Sequence, residues 1–203
     1  MIQHHIAPRD WVGQTAVIVA SGPSTESVNL NCVFKHRVVA VAHGYRAVPD
    51  AEVLVVGGQA FYQHNDLSDF RGGLIVAAQA LTRKPNDSRL VWMRRAGPHG
   101  LTDDRGSLCG SESSVMLAIN YVVHRGVSRI VLLGCDGRPA PDGKRRFGAA
   151  GRDSSNALER YRVQERAMAT QLEPLRERGI SIVNCSPRTA LTIYPTAKIE
   201  DVT

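Results

Sequence analysis

The sequence predicts a doubly wound α/β fold, one mostly parallel Rossmann-like sheet with helices on both faces. Two observations predict it. Short aliphatic bursts without polar alternation recur along the chain, the pattern of strands buried on both faces. Amphipathic helix patterns stand between the later bursts, as parallel crossover units require. Sheets of this kind bind ligands beyond the carboxyl ends of their strands, so functional residues are sought there.

The strand candidates in chain order are Thr15 to Ala20, Arg37 to Ala42, Glu52 to Val56, Leu74 to Ala77, Leu90 to Met93, Arg129 to Leu133 and Ile180 to Asn184. In Ser111 to Arg125 the apolar Val115, Ala118, Ile119, Val122 and Val123 recur at three and four residue steps, and Gly126 stands where a C-terminal cap belongs. A second helix is expected from Ala157 to Arg178, with Leu158, Tyr161, Met168, Leu172 and Leu175 as its apolar stripe and a kink at Pro174. Between Gly143 and Asn156 no periodicity survives, and the stretch reads as a loop or lid.

A chain of 203 residues is long enough for one domain with a well-buried core. One domain over 1–203 is expected, with a basic lid at about 138–156. Hydrophobic residues at 43% and charged residues at 22% exclude disordered, collagen-like and coiled-coil classes. No apolar run approaches the ~20 residues of a bilayer span. The N-terminus carries His4, His5, Arg9 and Asp10 where a secretory signal needs an apolar core, so a cytoplasmic protein is expected. Cys32, Cys109, Cys135 and Cys185 lie far apart, which argues against both zinc and disulfide frameworks. The net charge of +6 suits phosphate compounds, nucleotides or nucleic acid. It concentrates in Arg94, Arg95 and Arg105, and again in Arg138, Lys144, Arg145, Arg146 and Arg152. Each cluster is either a solvated basic loop or a phosphate contact.

Two strand ends and one helix start carry the candidate chemistry. The first strand runs into Ser21-Gly22-Pro23-Ser24. There Gly22 permits a tight turn, Pro23 fixes a dihedral, and Ser24 is expected to cap a short helix whose free N–H groups attract an anion. This is neither the G-x-G-x-x-G fingerprint nor a Walker loop. Ser113 and Ser114 open the core-facing helix as simple caps or as a second anion or ribose contact. The strand Arg129 to Leu133 ends in Gly134-Cys135-Asp136-Gly137. Asp136 there either holds a ribose hydroxyl, a magnesium ion or a proton in transfer, or caps its own loop.

Taken in order, these segments and the closing Asn184-Cys185-Ser186-Pro187-Arg188-Thr189-Ala190-Leu191 resemble a superfamily that joins bacterial sialyltransferases with archaeal hydroxymethylpterin diphosphokinase-like proteins. The chain also looks similar to phage-encoded proteins that share the G-P-S opening and the closing S-P-x-x-A-L. The resemblance covers about Ala16 to Val202. It implies a Rossmann-like sheet holding a nucleotide or nucleotide-sugar between Ser21 to Ser24, Ser113 to Ser114 and the loop containing Gly134 and Asp136. It further implies transfer of a glycosyl or diphosphoryl group from a nucleotide donor, with magnesium in the diphosphokinase case, and, for a phage protein, residence in the host cytoplasm.

The chain departs from that pattern at several positions. Ser21 and Ala42 stand where the sialyltransferases have asparagines, Gly57-Gly58-Gln59-Ala60 replaces an acidic approach to Phe61-Tyr62, and no histidine follows His124 to serve as the family's lid base. His43, at the end of the second strand, is the best placed substitute because imidazole titrates near neutrality. The lid offers Arg138, Lys144, Arg145 and Arg146 as a phosphate clamp. Three functions stay open: a nucleotide-dependent transferase, a non-catalytic nucleotide- or phosphate-binding protein that keeps the fold, and a basic nucleic-acid-binding protein.

Overall fold

The computed structural model describes residues 3–57, 61, 64–78, 87–110, 113–139 and 156–202. Its main sheet has eight strands: β1 (Gln3–His4), β2 (Thr15–Val19), β3 (Arg37–Val41), β4 (Val53–Val56), β5 (Leu74–Ala77), β6 (Leu90–Trp92), β9 (Arg129–Leu133) and β10 (Ser181–Asn184). They run in the order β1-β6-β5-β4-β3-β2-β9-β10, and every pairing is parallel. The chain therefore winds outward from β2 through β3 to β6, then returns to the other side of β2 as β9 and β10. That double winding is the predicted fold class.

The absence of alternation has a direct cause. Val17, Val19, Val38, Ala40, Leu54, Val56, Val131 and Leu133 pack on one face, and Ile18, Val39, Val41, Val55, Ile130 and Leu132 on the other. Both sets are buried, so each position along a strand must be apolar. Helix α1 (Ser114–Arg125) covers the second face with Met116, Ile119 and Val122. Gly126 ends it at φ 91°, its N–H bonding the carbonyls of Val122 and Val123, as a left-handed cap should. The opposite face is covered by the 3-10 turns Leu30–Lys35 and Ala42–Arg46, through Val33 and Tyr45, with Phe70 and Ile199.

Two expectations are corrected. The helix read across Ala157 to Arg178 is two helices, α2 (Ala157–Ala169) and α3 (Leu172–Glu177). Pro174 has no N–H and its ring would strike the carbonyl four residues earlier, at Thr170. The chain breaks there and restarts, placing Pro174 in the first turn of α3, where no N–H is needed. Leu158, assigned to the apolar stripe, is 63% exposed, whereas Met168 and Leu175 are buried. Most of the other strand expectations overrun the observed strands by a single residue.

A small second sheet joins β7 (Arg94–Gly97) to β8 (Ser107–Cys109) in parallel. The N-terminal segment is fastened to α1 by Arg125, which donates to both Asp10 oxygens at 2.5 and 2.8 Å and to the Tyr121 hydroxyl at 2.9 Å. Its guanidinium lies 3.8 Å from the Trp11 ring centroid, a close cation–π contact. Among the described residues no helix is long and apolar enough to cross a membrane.

Candidate functional site

The strand order reverses between β2 and β9, and in a doubly wound sheet the loops leaving two such strands part to form a crevice. Here those loops are Ala20 to Ser24 and Gly134 to Arg138. They are joined at their base: the Ala20 N–H donates to Leu133 O and the Gly22 N–H to Gly134 O, both at 2.8 Å. A Cβ on Gly22 would overlap Gly134 O and come within 2.8 Å of Asp136 Cγ. Gly134, at φ 66°, faces Thr25 and the Ala20 carbonyl equally closely. Neither loop tolerates a side chain at its crossing point, which is the physical content of the G-P-S and G-C-D motifs.

The role expected of Ser24 is corrected. It does not cap the 3-10 turn Pro23–Ser27; Gly22 occupies the cap position. Instead its N–H donates to Asp136 Oδ2 at 2.8 Å and its hydroxyl donates to Asp136 Oδ1. Both residues are buried. The anion that the first turn attracts is thus the protein's own carboxylate.

The closing segment fixes that carboxylate from behind. The Asn184 amide and the Thr189 hydroxyl both donate to Cys135 O, at 3.0 and 2.9 Å. Cys135 N–H donates to Ser186 Oγ at 2.8 Å, and Ala190 N–H to Asp136 O at 2.7 Å. The N-C-S-P-R-T-A-L stretch is a clamp on the Asp136 loop. Cys135 itself is inert, because burial pushes its thiol far above the ordinary range.

Above the two loops lies a cavity of about 310 Å³, at the small end of the range for ligand pockets. Ser21, Gly22, Gly134, Asp136 and Arg138 line it from the loops, and Ser113 and Ser114 from the start of α1. Ser113 caps α1, its hydroxyl accepting from the Val115 N–H at 3.2 Å and its carbonyl from the Met116 N–H at 3.1 Å, so that Ser114 carries the first-turn amide that the cap does not satisfy. The helix dipole adds positive potential at this point. The far wall comes from α2, through Arg160, Tyr161 and Gln164. Arg160 and Gln164 are one turn apart, and the Arg160 guanidinium lies 5.5 Å from the Tyr161 ring centroid. Among the described lining residues, two guanidiniums and a helix N-terminus therefore face one carboxylate that is already engaged.

Seven of the expected site residues line this cavity: Ser21, Gly22, Ser113, Ser114, Gly134, Asp136 and Arg138. Pro23 and Ser24 lie behind the loop as buried support. His43 is not brought in. It sits in the turn Ala42–Arg46, edge-on to Phe61 with ring centroids 5.1 Å apart, and only its neighbours Val41 and Ala42 reach the lining. Tyr45 is core, its hydroxyl donating to Asp66 O at 2.7 Å. Lys144, Arg145, Arg146 and Arg152 lie outside the described residues.

Sequence reasoning missed the α2 wall and the strain at Ala42. Tyr161 belongs to the expected apolar stripe, yet it is only half-buried and lines the cavity. Ala42 lines the cavity at φ 48°, a left-handed conformation that residues with a Cβ avoid. Among the described residues no group of three potential metal ligands occurs. No protein-family model, no curated protein and no solved structure matches the chain.

Proposed function

We propose that the cavity at the switch point is a nucleotide donor site, and that the protein is a nucleotide-dependent transferase moving a glycosyl or diphosphoryl group. The carrying observation is the position of the cavity: between the carboxyl ends of β2 and β9, where the strand order reverses and α1 points its N-terminus inward. Phosphates would meet Ser21, Gly22, the Ser114 amide and Arg138. The base or sugar would lie against Tyr161 and Gln164, which offer an aromatic face and an amide that both donates and accepts.

Asp136 fits a magnesium ion shared with the ligand. Each of its oxygens accepts one bond from Ser24, leaving a further lone pair on each, and Mg²⁺ is commonly held by one or two carboxylates together with substrate phosphates. Such an ion would neutralise charge building on the leaving group.

A second reading, a nucleotide-binding protein without catalysis, is favoured by one observation. The base candidate His43 lies outside the lining and the one acidic side chain among the described lining residues is held by Ser24. Thermal shift against CMP, CMP-sialic acid, ATP, GTP, UDP-sugars and dNTPs, with and without magnesium, tests the site. A ligand at a hundred times its Kd stabilises by about 2.7 kcal/mol. Turnover of the bound donor that disappears in Asp136→Asn supports the transferase; binding with no turnover supports the second reading; no shift from any member of the panel removes both.

A further inference from the structure

A second cavity, of about 560 Å³, opens at the other end of the sheet. Gly126, Val127 and Ser128, which lead α1 into β9, line it together with Gly179 and Ile180, which lead α3 into β10. It is thus at the amino-terminal edge of the strands, opposite the donor site.

Its charge is unbalanced. Arg9 from the N-terminal segment, Arg105 from the loop before β8 and Arg178 from the end of α3 line it, against one carboxylate, Asp103. Arg178 is committed, donating to Asp103 Oδ1 at 2.8 Å and to Pro174 O at 2.9 Å. Arg105 donates to a neutral partner, the Ala7 carbonyl at 3.3 Å, which holds the guanidinium without cancelling its charge. Among the described residues neither Arg9 nor Arg105 belongs to an ion pair.

The C-termini of α1 and α3 both end at this cavity, where they would ordinarily repel an anion, but several of their carbonyls are occupied. Arg125 O accepts from the Trp11 N–H at 2.8 Å and Gly126 O from the Gly13 N–H at 3.0 Å. The buried His124 donates from Nε2 to Ser107 O at 2.9 Å, and Thr102 and Ser128 add hydroxyls to the lining.

We propose that this cavity binds a small phosphate-bearing anion of the diphosphate class, gripped by Arg9 and Arg105, with Arg178 held beside them by Asp103. Two guanidinium forks from separate segments suit a multiply charged anion with many oxygens; a monocarboxylate offers one charge and two oxygens. The shared chemistry is the diphosphate group, either free or carried on a nucleoside. The assignment stands independently of the donor-site reading, since the two cavities share no lining residue.

The test is an amide chemical-shift titration of the full chain with inorganic pyrophosphate and, separately, with ADP. The expected result is movement of the Gly126, Ser128 and Gly179 amides, with affinity falling at least tenfold in Arg9→Gln/Arg105→Gln while nucleotide-induced shifts at Gly22 are unchanged. Movement with pyrophosphate identifies the free anion as sufficient; movement with ADP alone identifies the nucleoside diphosphate. Shifts confined to Gly22 and Gly134, no shift at all, or undiminished affinity in a folded double variant would each overturn the proposal.

Discussion

Ser24 and Asp136, 112 positions apart in sequence, are locked together by two hydrogen bonds beneath the cavity, one from the Ser24 N–H and one from its hydroxyl. This pairing joins the loop after β2 to the loop after β9 and sets the orientation of the one acidic side chain among the described lining residues.

Ser24→Ala removes the hydroxyl from a buried carboxylate. Hydrogen bonds to charged groups are worth about 1.5–3 kcal/mol, and a loss in that range is expected by denaturant unfolding. Asp136→Asn should lose less, because an amide accepts from the Ser24 N–H and its NH₂ can donate to the hydroxyl. Stability equal to wild type in Ser24→Ala would contradict the pairing.

Ala42→Gly should stabilise the protein. Relief of a left-handed backbone is worth about 1–2 kcal/mol, and the added freedom of the unfolded chain takes back about 0.4–1 kcal/mol. A net gain of up to about 1.6 kcal/mol is expected, read as a raised Tm. A lowered Tm would mean that the alanine methyl packs more than its strain removes.

Arg160→Gln tests the α2 wall. The account expects nucleotide affinity to fall about tenfold, equivalent to about 1.4 kcal/mol, with stability within about 0.5 kcal/mol of wild type, as for a surface change. Unchanged affinity would take α2 out of the site.

Burial holds the pKa of His124 below the ordinary imidazole value of 6.5, and His5 is lowered by burial, then by Arg125 and His4. The fold thus prefers both rings neutral. Their stabilising contribution is complete above pH 6.5 and is lost as pH falls through the lower folded values. Tm should decline on acidification from about pH 6.5, and less steeply in His124→Gln. An equal slope in that variant would assign the titration elsewhere.

The fold was legible because its strands are buried on both faces. Val17, Ile18 and Val131 could not be polar on either side, and Gly126 announced the end of α1. The cavity's near walls were legible because Gly22 and Gly134 obey short-range turn chemistry, readable without knowing what they face. The partner of Asp136 was not, since nothing local to Ser24 encodes a contact 112 positions away. The α2 wall escaped because Arg160 reads as an ordinary helix surface and Tyr161 as part of the apolar stripe until the fold places that helix over the loops. Strands β7 and β8 carry no aliphatic burst, Arg94 and Arg95 being exposed, and so gave no signal.

The most direct test of the central claim is to titrate isotope-labelled protein with the nucleotide panel and follow backbone amides. The account predicts that a bound nucleotide moves Ser21, Gly22, Ser114 and Gly134 first, at the carboxyl ends of β2 and β9. A nucleotide that binds while these amides stay still, or a panel that moves none of them, would contradict a donor site at the switch point.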